Sequence, residues 1–296
     1  VNPELTAPAT ATARRLNWST LKHLMVSPKL LKWRMDRPEV ESPAMKLGTA
    51  LHCAVFEPAE FPKRWVVAGR CAASVKSTGL PCGSQGSLFD GIDWYCKVRG
   101  HATPTASEKV EGVEIVTLEQ LEVVRAAAAA IADHKVASRI LSGGLPEHEL
   151  EWQNPETGIL CRGRLDYLKP REVVDLKSTV EETLWGIRRK CATMAYHAQL
   201  AWYHDGAIAA GRLQPDAQLP ALVAVQTVEP YDVAVFRMNK ADYEAGQICY
   251  RDLLLKFRDC QITDDWYGIA RDVQPMNLPD WAPGMNGSNY DEVAFD

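Results

Sequence analysis

The chain has 296 residues, enough for one large domain or two with a real core. With 46% hydrophobic and 24% charged residues it has a soluble protein's composition, and no apolar run approaches the length of a membrane span. A net charge of −5 excludes a generically basic nucleic-acid binder. The charge is uneven, however: residues 14–37 carry seven Lys or Arg against one acid, and the stretch from Asp252 onward carries nine acids against three bases. That asymmetry allows a local basic surface, with Lys29 and Lys32 as candidate phosphate contacts and the acidic end facing away from them.

In chain order, residues 1–16 read as a flexible lead, and 17–296 as one domain with an insertion at about 59–115. A helix begins at Asn17-Trp18-Ser19-Thr20, with Ser19 its expected N-cap, and Ser27-Pro28 divides it into two short pieces. Pro43 to Phe56 is the next predicted helix, with Pro43 in its first turn and Leu47, Leu51 and Val55 on one face. His52 lies within it, and a lone His on a packed helix is more often a satisfied core residue than a ligand. Phe61 to Val67 is a predicted strand, Cys71 to Ser87 a loop rich in Gly, Ser and Pro, and Leu88 to Val98 a predicted helix. Thr117 to Leu141 is predicted as one long helix ended by Gly143-Gly144.

Glu147 to Trp152 reads as a strand leading into a hairpin. Val180 to Lys190 and Tyr196 to Gly211 then read as helices, and the second puts Gln199 and Tyr203 on one face. Strands follow at Leu222 to Val228 and Val233 to Met238, then a helix from Asn239 to Arg258. This order of helices, strands, two helices and two strands predicts an α/β core around a mixed central sheet.

The eight cysteines, at 53, 71, 82, 96, 161, 191, 249 and 260, form no Cys-x-x-Cys pair. With no charged-then-apolar leader in the sequence, the expectation is a cytoplasmic protein with reduced, mostly buried thiols. Cys71, Cys82, Cys96 and His101 can be drawn as a zinc set, but their gaps are wrong for a common finger.

The most informative stretch runs from Cys161 to Thr179. Ile159 to Leu168 and Val173 to Lys177 read as two strands joined by a tight turn at Pro170. A two-residue turn at Pro170 and Arg171 sets Asp166 opposite Asp175, where Cβ atoms lie about 4.5–5.5 Å apart and like charges repel. A divalent metal between them resolves that conflict. Lys177, two residues past Asp175, projects from the same face and can stabilise charge on a phosphate oxygen. A solvated polar hairpin is the simpler reading, and an Asp-x-Lys triplet occurs about once by chance in a chain this long. Asp133-His134-Lys135 is such a decoy, since it sits in an Ala-rich helical run.

Four segments in order carry a family resemblance: Leu-Gly-Thr-Ala-Leu-His52, Cys161-Arg-Gly-Arg-Leu-Asp166-Tyr, Val-Asp175-Leu-Lys177-Ser-Thr179, and Tyr-His-Ala-Gln199-Leu-Ala-Trp-Tyr203. From about Ser19 to Trp281 the chain resembles the PD-(D/E)XK nucleases, in particular the exodeoxyribonuclease VIII (RecE-type) group of phage and prophage recombination exonucleases. The resemblance implies a restriction-endonuclease-like core, a mixed central β-sheet flanked by helices. It implies that His52, Asp166, Asp175 and the Leu176 carbonyl ligate metal and that Asp166, Asp175 and Lys177 are catalytic. Gln199 and Tyr203 match a motif near the DNA, Arg162, Arg164, Thr179 and Ser19 are further DNA-binding candidates, and Glu147 matches an acid that often precedes the hairpin. Gln226 departs from the pattern, standing where an acid is expected.

The same resemblance implies Mg²⁺, with Mn²⁺ as substitute, and 5′-to-3′ digestion of linear double-stranded DNA that leaves 3′ single-stranded overhangs. It also implies a RecT-type single-strand annealing partner and a ring-shaped homo-oligomer, with no membrane association. A related subgroup holds an iron–sulfur cluster on one early Cys and a late group of three. Only Cys249 and Cys260 follow Tyr203, so no such cluster is expected. An endonuclease or single-strand nuclease on the same core, or a non-catalytic DNA-end-binding module, are the alternatives.

Overall fold

In the computed structural model, residues 15–37, 41–84, 86, 88–89, 94–98, 100–103, 113–278 and 282 are described. The chain starts with three short helical pieces, α1 (Trp18–Leu21), a 3-10 turn (Lys22–Met25) and α2 (Pro28–Met35). Ser27 and Pro28 make the expected break, with the Ser27 hydroxyl capping α2 through the Leu30 amide. The cap of α1 is Asn17, whose side chain accepts from the Thr20 amide, and not Ser19, whose hydroxyl donates to Asn17. The expected frame was two residues late because Asn17 is the last extended residue.

α3 (Pro43–Phe56) has the predicted bounds, with Ser42 as its cap. The predicted strand at 61–67 is half helical: α4 (Phe61–Arg64) runs into β1 (Trp65–Val67). The predicted helix at 88–98 is instead the antiparallel pair β2 (Leu88–Phe89) and β3 (Trp94–Tyr95), in keeping with the strand preference of its aromatic residues. β4 (Glu114–Val116) returns to pair in parallel with β1.

The long helix expected over 117–141 is two. α5 (Leu118–Asp133) opens on a capping box formed by Thr117 and Gln120. It stops at His134, whose backbone is extended and whose Nδ1 accepts from the Ala137 amide to cap α6 (Lys135–Ile140).

The remaining strands build one five-stranded sheet: β5 (Leu145–Gln153), β6 (Leu160–Lys169), β7 (Glu172–Thr179), β8 (Ala221–Gln226) and β9 (Val233–Arg237), adjacent in that order. β5, β6 and β7 form an antiparallel meander, β7 and β8 are parallel, and β8 and β9 are antiparallel. The parallel step needs a crossover, supplied by α7 (Leu184–Thr193) and α8 (Tyr196–Ala209). α9 (Lys240–Thr263) follows the last strand. This is the mixed, helix-flanked sheet that the order of elements predicts.

Among the described residues three buried clusters form, and two of them hold helices against the five-stranded sheet. One joins Leu21, Leu31, Trp152, Leu165, Trp202 and Leu254, so that the first helices, α8 and α9 close over β5 and β6. The other joins Leu51, Ile131, Ile140, Val174, Leu176 and Val223, which brings α3, α5 and α6 against β7 and β8. β8, buried along its whole length, reads as a nearly continuous apolar run, and β7 is buried from Glu172 to Leu176 although its sequence carries Asp175 and Lys177. Gly206 lets α8 sit close to β5, since a Cβ there would meet Trp152 Cζ2 at 2.6 Å.

The acidic C-terminal stretch does not stand apart from the basic N-terminal one. Asp264 Oδ1 lies 3.0 Å from Lys32 Nζ, and the Lys29 amide donates to the Tyr267 carbonyl at 3.0 Å. Opposite charges attract here, so Lys32 is paired with Asp264 at the surface.

Candidate active site

The turn between β6 and β7 is Pro170-Arg171, and the ladder pairs Lys169 with Glu172, Leu168 with Val173 and Tyr167 with Val174. One step further, that register sets Asp166 opposite Asp175. The ladder ends there because the Asp166 carboxylate takes the strand's next donor: Leu176 N donates to Asp166 Oδ2 at 2.8 Å. β7 continues along β8, with Asp175 beside Leu222 and Lys177 beside Ala224.

Glu147 faces the same break from β5. Its neighbours Pro146 and His148 pair with Tyr167 and Leu165, but Glu147 has φ 46°. A non-glycine residue in that left-handed region costs about 1–3 kcal/mol unless its surroundings over-determine it. Two contacts do so: Glu147 Oε2 lies 3.0 Å from Arg164 Nε and Oε1 lies 3.5 Å from His52 Nδ1.

His52 is delivered by α3. Its Nε2 lies 2.9 Å from the Leu176 carbonyl oxygen, and its Nδ1 lies 3.6 Å from Asp166 Oδ1. One ligand atom from each of His52, Glu147 and Asp166 fits within 4.8 Å of the other two. The His52 ring therefore sits between the Phe56 ring, edge-on at 5.7 Å between centroids, and the carboxylates of Glu147 and Asp166.

Asp175 does not join that trio. Its side chain is 1% exposed, with Lys177 Nζ 2.6 Å from Oδ2. Oδ1 has no partner among the described residues. Burial, then the facing Asp166, push the Asp175 carboxyl up to about 7, against the pull of Lys177. Burial works against the Lys177 ammonium, but Asp175 and Asp166 outweigh it and hold Lys177 above the usual lysine range. Burial likewise lowers His52, and the Asp166 and Glu147 carboxylates more than restore it.

A divalent cation fits these residues. An imidazole and carboxylates converge, a buried carboxylate oxygen lacks a partner, and the like charges of Asp166 and Asp175 await compensation. The donor set is mostly oxygen with one imidazole, which suits Mg²⁺ or Mn²⁺.

The trio and Lys177 border a cleft of about 800 Å³, lined also by Ser19, Arg164 and Tyr203. Other expected contacts lie elsewhere. Arg162 is exposed but outside the cleft lining, and Gln199 stands behind Tyr203, its Nε2 donating to the Tyr203 hydroxyl at 3.2 Å. Thr179 is buried, its hydroxyl accepting from the Glu181 amide at 3.1 Å, so it shapes the end of β7 rather than the surface. Gln226 is also buried and structural: Nε2 donates to the Glu181 carbonyl and Oε1 accepts from the Asp232 amide.

Sequence reasoning missed Arg64 and Lys190, which line the cleft but belong to no recognisable motif, and Tyr196, which opens the Gln199–Tyr203 segment but was given no role there. It also missed Gly163, where a Cβ would lie 2.9 Å from Tyr203 Cε1. A glycine between two arginines in a strand was the available signal, since strand glycines mark close approach.

Sheet order, the Asp-bearing hairpin and the Asp-x-Lys strand define a PD-(D/E)XK nuclease fold. Residues 18–272 match the family model of the PDDEXK-like domain of unknown function (DUF3799), and the chain belongs to that family. Among solved structures, a protein described as "Putative exonuclease" from Eubacterium rectale is similar, with TM-score 0.51 and 10% identity, over 91% of this chain and 93% of that one. A phage related exonuclease from Haemophilus somnus 129PT aligns over 46% of this chain and 68% of its own, with TM-score 0.29 and 11% identity. No curated protein matches the chain. Among the described residues, no helix is long and apolar enough to cross a membrane.

Proposed function

We propose that the protein is a metal-dependent deoxyribonuclease that digests linear double-stranded DNA from its ends. The observation that carries this reading is Asp175: a carboxylate with an unpartnered oxygen, buried beside Lys177 and facing Asp166, behind a cleft that His52, Glu147, Arg164, Asp166 and Lys177 line. Such an arrangement costs stability unless it serves a charged reaction.

His52, Glu147, Asp166 and Asp175, with the Leu176 carbonyl, would hold the metal. When bound, a divalent ion supplies a water of lowered pKa and neutralises charge on the scissile phosphate. Lys177 stays protonated, so it does not serve as a base; it offers its protons to the attacking oxygen and the phosphate. Tyr203, pushed by burial up to about 12, likewise remains a hydrogen-bond donor, and Gln199 sets its direction. Arg164 bridges Glu147 to the cleft and can turn to a phosphate. Asp166, Asp175 and Lys177 are all present, which favours catalysis over a non-catalytic end-binding role.

The resemblance to the RecE-type group supports finer points: Mg²⁺ as the working ion, 5′-to-3′ polarity, 3′ overhangs, a RecT-type annealing partner and a ring-shaped homo-oligomer. A ring closed around the duplex would supply processivity. The experiment is digestion of end-labelled linear duplex DNA with Mg²⁺, with and without a 5′ phosphate, beside circular duplex and single-stranded DNA. Loss of a 5′ label first, on linear duplex alone, is expected. Equal attack on the circle would replace this reading with an endonuclease.

A further inference from the structure

A second cluster of ligand-type side chains lies in the excursion between β1 and β4. Cys71, Cys82, Cys96 and His101 each direct one ligand atom to a common point, all four atoms within 4.8 Å of one another. Their sequence gaps looked wrong for a finger, but local turns close them. The 73–82 segment is a hairpin: Cys82 N donates to the Ala73 carbonyl and Val75 N to the Leu80 carbonyl, both at 2.8 Å. Cys71 N donates to the Ser84 carbonyl at 2.8 Å, and Ala72 N to the Trp94 carbonyl at 2.8 Å, which ties the hairpin to β3. A turn in which His101 N donates to the Val98 carbonyl at 3.0 Å brings the imidazole back to Cys96.

We propose that Cys71, Cys82, Cys96 and His101 form a tetrahedral site for one structural zinc ion that braces this excursion. Zinc bonds of about 2.3 Å to sulfur and about 2.0–2.1 Å to nitrogen imply tetrahedral edges of about 3.8 Å between sulfurs and about 3.6 Å between sulfur and nitrogen. The Cys82 and Cys96 sulfurs are 3.8 Å apart, and His101 Nδ1 lies 3.8 Å from the Cys71 sulfur and 3.2 Å from the Cys96 sulfur. Sulfurs this close leave room for a single ion and not for a multinuclear iron–sulfur cluster. Three thiolates with one imidazole select zinc among the common ions.

An independent observation is that the described residues of this segment form no core of their own. Among the described residues of 71–101, Cys71 and Cys96 carry the only buried side chains. Two-stranded ladders such as β2–β3 are marginal in water without added support. Short loop-rich segments of this kind are held by metals or disulfides, and here all four groups converge as free thiols and imidazole. The site shares no residue with the candidate nuclease centre and does not depend on it.

The test is metal analysis of the full chain purified in reductant without chelator, together with its Co²⁺-exchanged form. The expected result is one zinc per chain, and a cobalt spectrum with tetrahedral visible bands and thiolate-to-metal charge transfer. Asp166→Ala should keep that zinc, and Cys82→Ser/Cys96→Ser should lose it and the charge-transfer band. His101→Cys should still hold a tetrahedral ion, with more thiolate absorption. Wild-type protein with no zinc and no thiolate–cobalt absorption would overturn the proposal, as would iron in place of zinc. The wild-type spectrum stands even if the double variant fails to fold.

Discussion

Two aspartates in this molecule, Asp205 half-buried and Asp175 fully buried, carry opposite environments. Asp205 on α8 accepts from Tyr243, Tyr250 and Gln247, with Arg251 4.0 Å away. Burial pushes its carboxyl up, but hydrogen bonds from His204, Tyr243, Tyr250 and Gln247 reverse that and hold it below the usual range. Asp175 on β7 has one lysine, a facing carboxylate and an unpartnered oxygen, and is pushed up to about 7. A satisfied, half-buried carboxylate ties α8 to α9. An unsatisfied, buried one sits beside the cleft residues Asp166 and Lys177 and marks where a ligand completes the structure.

The largest expected effect separates the two directly. Asp175→Asn should reduce cleavage by about 10³-fold or more with the fold intact, because it removes a charged group from the reaction centre. Asp205→Asn should leave the Mg²⁺ dependence of cleavage unchanged but lose charged hydrogen bonds of about 1.5–3 kcal/mol, a drop of about 3–10 °C in Tm. Circular dichroism melts and end-label release on both proteins check the contrast. An inactive Asp205→Asn beside an active Asp175→Asn would invert it.

Next in size is Lys177→Met. Loss of the ammonium should cost about 10²–10³-fold in turnover. It also removes the one group that lowers Asp175 by direct contact, so the acid limb of the pH profile should move to higher pH. A profile that falls in height without shifting would mean that Lys177 does not set the Asp175 charge.

The pH dependence of metal binding sharpens the same point. Asp175 takes up a proton in the folded chain as pH drops through about 7, well above the ordinary carboxylate range. Proton and metal then compete for one carboxylate, so Mg²⁺ should bind about tenfold more weakly at pH 6 than at pH 8. The sign for stability is that metal-free protein gains stability as pH falls from about 7 toward 4, since only the folded state holds this proton. The thermal shift on adding Mg²⁺ should therefore grow from pH 6 to pH 8. A shift that is flat with pH would disconnect Asp175 from the ion.

Smaller effects test the cleft wall. Gly163→Ala should push Tyr203 aside, at about 1–3 kcal/mol of overpacking, and lower turnover by a few fold. Smallest is a salt slope measured in Ca²⁺: Arg164→Ala should make log affinity against log salt shallower by about 0.9, and Lys32→Ala should leave it unchanged because Asp264 already holds it. Equal changes would return the basic N-terminal helices to the DNA surface.

What the sequence disclosed follows from how local the physics was. A two-residue turn fixes a hairpin register, so the opposition of Asp166 and Asp175 and the shared face of Lys177 could be counted. α3 was legible from Pro43 and the spacing of Leu47, Leu51 and Val55. His52 was legible only through the resemblance, since nothing in its own helix shows that Glu147 and Asp166 approach from 95 and 114 residues away. The left-handed backbone of Glu147 answers to Arg164 and His52 and leaves no trace in composition. His134 ended a helix by capping the next one, where its Ala-rich surroundings promised continuity. The Cys71 to His101 set was judged on gap lengths, whereas two turns decide which groups meet.

The pairing of the first and last described segments bears on how the protein is made. Leu16 pairs with Leu160 and Arg162 on β6, and Lys32 meets Asp264 from 232 residues away. At about 5–20 residues per second of synthesis, that second partner emerges roughly 10–50 s after the first. Trp18, Leu21, Leu24 and Leu31 gain their β5 and β6 partners on the way, but Leu253, Leu254 and Phe257 complete their core only when α9 is made. Burial of the N-terminal helices is therefore finished late, and a nascent chain stalled before residue 240 should leave part of their apolar surface open to ribosome-bound holdases.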